Sequence, residues 1–130
     1  MKVLAIDHVT INCKDPERTF RFYEEVLGLP KNGTPIDMGD HELFYYSLPH
    51  SRLEIIRYKT DQPVLDTVKT SLGIWRHLAL EVDDIDAVYK AGQQFGAKIT
   101  VLPSYVEKLG KKTMLIIDPN GVEIEITQSR

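Results

Sequence analysis

The segment Trp75-Arg76-His77-Leu78-Ala79-Leu80-Glu81-Val82-Asp83-Asp84-Ile85 decides the fold class. From Trp75 to Val82 the side chains alternate: Leu78, Leu80 and Val82 form one apolar face, while Trp75, His77, Ala79 and Glu81 form the other. That period of two is a strand. Asp83 and Asp84 then offer a helix cap, and Ile85, Val88, Tyr89 and Phe95 follow at helical spacing up to Gly96, a stop signal. Three more strand candidates close the C-terminal half, at Lys98–Leu102, Thr113–Ile117 and Val122–Thr127. Asp118-Pro119-Asn120-Gly121 is a turn sequence between the last two.

Working back toward the N-terminus, the same plan recurs. Leu4–Asn12 reads as a strand with Val9 and Ile11 on one face and Ile6, His8, Thr10 and Asn12 on the other. Asp15-Pro16 starts a helix that carries Thr19, Phe20, Phe22, Tyr23, Val26 and Leu27 and stops at Gly28. The stretch Lys31–Gly39 has room for a short strand, and Glu42–Leu48 and Arg52–Tyr58 are two further strands. Each half is thus β-α-β-β-β. The expected fold is α+β, one domain over 1–130 with module 1 at about 1–59, a linker at 60–73 and module 2 at about 74–130.

The repeat extends to residues that bind metals. His8 and Glu54 are 46 residues apart, His77 and Glu125 are 48 apart, and each His opens a module whose last strand holds the Glu. By strand parity all four lie on the mixed face, opposite the apolar face that packs on the helices. A mixed face can simply meet water, and a lone strand His or Glu is ordinarily structural or solvated. Recurrence of the pair is what favours an N₂O₂ site for one divalent ion, with Ni²⁺, Co²⁺, Zn²⁺ and Mn²⁺ all compatible.

Composition narrows the function classes. The net charge of −3 argues against a nucleic-acid partner. Apolar runs such as Met114 to Ile117 are too short for a membrane span. The N-terminus lacks a signal-peptide core, and the single Cys13 rules out an internal disulfide, which together point to the cytoplasm.

Ile6-Asp7-His8-Val9, Phe22-Tyr23-Glu24-Glu25-Val26-Leu27-Gly28-Leu29, His77-Leu78-Ala79-Leu80-Glu81-Val82-Asp83-Asp84 and Asp118-Pro119-Asn120-Gly121-Val122-Glu123-Ile124-Glu125 resemble the vicinal oxygen chelate superfamily. That group contains glyoxalase I, bleomycin-resistance proteins, methylmalonyl-CoA epimerases, fosfomycin-resistance enzymes and extradiol dioxygenases. The resemblance spans nearly the whole chain. It implies paired βαβββ modules whose mixed, mainly antiparallel sheets curl around a metal held by His8, Glu54, His77 and Glu125. Glu123 has the strand parity of Glu125 but falls at the wrong step of the motif, so it is expected to flank the site or reach solvent.

A two-His, two-Glu set resembles glyoxalase I, a lyase that isomerises the hemithioacetal of a thiol and a 2-oxoaldehyde. The implied roles are Glu125 as first-choice base and Glu54 as second, with the two histidines as ligands whose other nitrogens need orienting partners. Another metalloenzyme of the superfamily (epimerase, thiol transferase or extradiol dioxygenase) is the alternative, and a non-catalytic small-molecule-binding or resistance protein is the third reading. Small members also resemble one another in forming homodimers, with modules paired within or between chains.

One departure concerns the substrate. Glutathione-dependent members resemble one another in an Arg four residues after the first His and an Asn four after the first Glu, where this chain has Asn12 and Tyr58. Both are expected to face the cavity. Lys108, with Lys111 and Lys112, is placed in a loop where it can meet an anionic substrate or simply be solvated. Trp75 either walls the cavity or packs at its strand start. Cys13 reads as a buried or edge thiol. Phe44, Tyr45 and Tyr46 read as strand formers, one of which can line the pocket.

Overall fold

A computed structural model describes residues 1–129. Module 1 contains β1 (His8–Asn12), α1 (Pro16–Arg21), a π-helical segment (Phe22–Val26), β2 (Ile36–Asp37), β3 (His41–Leu48) and β4 (Ser51–Tyr58). Module 2 contains β5 (Leu78–Glu81), α2 (Ile85–Phe95), β6 (Lys98–Val106), a 3₁₀ turn (Glu107–Leu109), β7 (Lys111–Ile117) and β8 (Glu123–Gln128). The sheets run β1-β4-β3-β2 and β5-β8-β7-β6. In each, the first strand pairs parallel with the last and the remaining pairs are antiparallel. The α+β class and the doubled β-α-β-β-β plan are therefore as the sequence indicates.

The helix boundaries follow local chemistry. The Asp15 carboxylate accepts from the Arg18 N–H, and Pro16 fits the first turn. Asp84 caps α2 through the Ala87 N–H, and Gly96 ends it in the left-handed region at φ 82°. The first helix is not uniform, however. It widens into a π-helix at Phe22, and the wider turn buries the adjacent side chains of Phe22 and Tyr23 completely.

One cluster of buried residues joins the modules. Leu53 and Ile55 of β4, Met114 and Ile116 of β7, and Ile124 and Ile126 of β8 are fully buried with Phe22, Tyr23 and Ile85. The π-segment packs against α2, with the Phe22 and Phe95 rings 5.6 Å apart edge to face. Gly92 lies where α2 crosses β7, and a Cβ there would stand 2.9 Å from Cδ1 of Ile116.

Several boundaries differ from the sequence reading. Leu4–Ile6 and Trp75–His77 are not strand: β1 starts at His8 and β5 at Leu78. β1 and β5 are the outer strands of their sheets, so these extensions lack an internal partner to complete a ladder. Leu4, Ile6 and Trp75 are accordingly exposed, Trp75 at 96%. β6 continues past Leu102 to Val106 through two register shifts, one between Ile99 and Val101 and one between Val101 and Ser104 that spans Pro103, which cannot donate to a regular ladder. β7 starts at Lys111, so Lys111 and Lys112 are strand residues rather than loop.

Candidate metal and substrate site

Parity places the candidate residues as the alternation requires. On β4 the Leu53 and Ile55 side chains enter the core, and Glu54 takes the opposite face. On β8 Ile124 and Ile126 enter the core, and Glu125 takes the opposite face. His8 Nε2 lies 3.8 Å from Oε1 of Glu54, and His77 Nε2 lies 2.7 Å from Oε2 of Glu125.

Each imidazole has a second acidic neighbour. The Nδ1 of His8 meets Oδ2 of Asp7 at 2.6 Å, and this hydrogen bond is the main cause holding the Asp7 carboxyl below the usual carboxylate range. The Nδ1 of His77 lies 3.4 Å from Oε1 of Glu123, which also pairs with Arg76. The Asp7 hydrogen bond orients the His8 ring so that its other nitrogen faces a ligand, whereas the His77 Nδ1 is buried and, among the described residues, has Glu123 near it but no hydrogen-bond partner. Glu123 thus flanks the site as a neighbour of His77.

The Glu54 carboxylate is buried, 7% exposed, and held from both sides. Thr10 Oγ1 of β1 donates to its Oε1 at 3.0 Å, and the Tyr45 hydroxyl of β3 donates to its Oε2. That bond is the main cause raising the Tyr45 phenol above its ordinary value. The Arg52 guanidinium lies over the Tyr45 ring at 4.2 Å and 3.7 Å from Asp7. Parity already places Thr10 and Arg52 on this face. The role of Tyr45 was not readable, because its partner depends on the β3–β4 register that sets Tyr45 opposite Glu54.

The donor types suit a first-row divalent ion. Among the described residues, however, no three His, Cys, Asp or Glu groups come together in a metal-holding cluster. The expected four-ligand site is therefore two separate halves in one chain, His8 with Glu54 and His77 with Glu125. The sheets that carry them share no strand pairing.

The substrate candidates divide. Asn12 is exposed on the His8 face, in register with Ile56, and Tyr58 follows on that face of β4 with its ring 5.2 Å from His41. Arg57 points the other way and pairs with Glu42. Trp75 is almost fully exposed and, among the described residues, walls no cavity. Lys108 lies in the 3₁₀ turn, and Lys112 is engaged by Asp86 at 2.8 Å. Cys13 is half-buried, and desolvation pushes its thiol up to about 11, which keeps it out of the reactive thiolate form at neutral pH.

The model of the Glyoxalase/Bleomycin resistance protein/Dioxygenase superfamily matches residues 5–126, and the chain belongs to that superfamily. It is 32% identical over 133 residues to the uncharacterized protein YwbC of Bacillus subtilis (strain 168), covering 95% of this chain and 96% of that protein. It is 24% identical over 130 residues to the mitochondrial methylmalonyl-CoA epimerase of Bos taurus, covering 95% of this chain and 74% of that protein. Its fold is also similar to the crystal structure of a glyoxalase I mutant from Zea mays, with TM-score 0.76 at 19% identity, covering 95% of this chain and 44% of that one. Among the described residues no helix is long and apolar enough to cross a membrane.

Proposed function

We propose that this chain is a divalent-metal-dependent lyase of the glyoxalase I type, acting on a hemithioacetal or a similar small carbonyl compound. The site is formed between two copies in a homodimer. The observation that carries this reading is the repeated half-site: in each module a His Nε2 lies beside a Glu carboxylate, with an acid behind the Nδ1. A catalytic metal of this class takes at least three protein ligands, and one half supplies two. Joining the His8–Glu54 half to the His77–Glu125 half of a second copy supplies four. The open β1 and β5 edges and the exposed Leu4, Ile6 and Trp75 beside them fit that union.

In such a dimer His8, Glu54, His77 and Glu125 would hold the ion, which would supply Lewis-acid stabilisation of the charge that develops on the substrate oxygens. Glu125 removes the proton from the carbon next to the carbonyl, and the C–H electron pair moves toward the carbonyl oxygen. Glu125 would then return that proton to the former carbonyl carbon, while the hydroxyl proton of the hemithioacetal carbon passes to the former carbonyl oxygen, so that the first carbon becomes the thioester carbonyl and the second carries the 2-hydroxyl. The bovine epimerase relative supports a second reading, in which the same carboxylates remove and return a proton at a single carbon.

A panel of thiol hemithioacetals with Ni²⁺, Co²⁺, Zn²⁺ and Mn²⁺ tests the proposal. Turnover of at least one adduct, lost with chelator and restored by metal, is expected. Solvent deuterium entering an acyl thioester without isomerisation supports the epimerase reading instead. Neither activity with any of these ions refutes both.

Within that panel the glutathione adduct is expected to be poor. Asn12 and Tyr58 offer neutral donors in place of a cation, and a missing charge-assisted hydrogen bond is worth roughly 1.5–3 kcal/mol. That is on the order of ten- to a hundredfold in kcat/KM. Asn12→Arg is expected to recover this factor for the glutathione adduct. Efficient wild-type turnover that the Arg does not improve contradicts the prediction.

A further inference from the structure

The two modules share one sheet order but differ at the positions flanking their glutamates. In module 1 the Cα register sets Thr10 of β1 and Tyr45 of β3 on either side of Glu54, and both donate hydroxyl hydrogen bonds to it. In module 2 the same register sets Ala79 of β5 and Leu115 of β7 on either side of Glu125. Neither can donate from its side chain. Among the described residues Glu125 has only His77 as a side-chain partner.

We propose that Thr10 and Tyr45 are positioning residues that make Glu54 the fixed carboxylate of the metal site, and that their absence around Glu125 leaves that carboxylate free to move. The inference rests on the metalloenzyme reading above and divides the labour within it. Each oxygen of Glu54 is held by a donor on a different neighbouring strand, so the carboxylate cannot swing without breaking both bonds. Each oxygen keeps a further lone-pair direction open for an ion. The Arg52 guanidinium over the Tyr45 ring holds the phenol in place. A proton carrier must instead move between the ion and two substrate carbons, and only the unclamped Glu125 is built for that.

The test uses the whole dimeric protein and reads metal affinity by competition with a chromophoric chelator, with Zn²⁺ as probe. Thr10→Val preserves the branched strand side chain and Tyr45→Phe preserves the ring. The double variant is expected to bind Zn²⁺ about ten- to a hundredfold more weakly, the usual range for orienting partners of a metal ligand. Thr10→Ser, which keeps the hydroxyl, is expected to bind as wild type does. Should the double variant fail to fold, comparing Thr10→Val with Thr10→Ser tests the same clamp through one of its two bonds. Glu54→Gln is expected to lose the metal, and Glu125→Gln to retain it while losing solvent-proton exchange. Clamp variants that bind Zn²⁺ as tightly as wild type overturn the inference and leave the metal site standing. Wild-type protein that binds no divalent ion overturns the functional reading, and this inference with it.

Discussion

The His77→Ala chain is expected to bind divalent metal at least about a hundredfold more weakly than wild type, because losing a ligand costs more than losing the partner behind one. In the proposed site His77 is the nitrogen donor of its half, with Nε2 beside Glu125. Elemental analysis after reconstitution reads the effect directly, and equal metal in the two proteins rejects the site. The proposed arrangement between copies makes a sharper demand. A dimer of His8→Ala chains has both sites damaged, and so does a dimer of His77→Ala chains. In a mixed dimer one site carries both substitutions and the other carries neither. Refolding the two variants together is therefore expected to restore about a quarter of the wild-type sites, since half the dimers are mixed and each has one intact site of two. Modules paired within a chain give no recovery on mixing. Light scattering at micromolar concentration adds an independent check, with a dimer mass expected.

Asp118→Ala is expected to be the most damaging single change to stability. The Asp118 carboxylate is 4% exposed and accepts four hydrogen bonds. Oδ1 takes the N–H groups of Asn120 and Val122, both at 2.8 Å, which shapes the turn before β8. Oδ2 takes the Asn120 amide at 3.2 Å and the Tyr23 hydroxyl at 2.8 Å. Tyr23 belongs to the π-segment of module 1, so the carboxylate ties the modules together as well as bending the chain. Alanine leaves a buried hydroxyl and turn N–H groups without their acceptor. Hydrogen bonds to a charged group contribute roughly 1.5–3 kcal/mol each and do not add fully, so the loss should be about 3–5 kcal/mol. That is a large part of the roughly 5–15 kcal/mol of an ordinary domain. Urea denaturation measures it, with the slope unchanged. Tyr23→Phe removes one donor and should cost about 1–2 kcal/mol. In the double variant the two losses should fail to add, since the residues share one bond. A loss below about 1 kcal/mol in Asp118→Ala contradicts the bonding described.

The Asp118–Tyr23 bond also shows how much of the molecule is legible before its tertiary structure is known. Asp118-Pro119-Asn120-Gly121 identifies itself as a turn, because turn chemistry is local. That the Asp side chain also receives a hydroxyl from a residue 95 positions away is not local, and no period in the chain announces it. The π-helix at Phe22–Val26 is similar. Helical spacing predicts a helix there, but not the wider turn, in which the adjacent Phe22 and Tyr23 are both buried and Phe22 meets Phe95 of the other module.

Strand parity and caps were determined by the sequence itself. The alternation around Glu54 and Glu125 assigns them to the face away from the core, since neighbouring side chains must point opposite ways. Asp15-Pro16, Asp84 and Gly96 set helix ends through bonds spanning a few residues. Only the tertiary structure decided what depends on pairing. Strands end where partners end, so Leu4–Ile6 and Trp75–His77 stay outside the sheets although their pattern is strand-like. Tyr45 and Thr10 meet Glu54 because register across three strands brings them there. The two His–Glu halves remain apart within the chain because parity assigns a residue to a face, whereas joining two faces depends on which sheet edges meet.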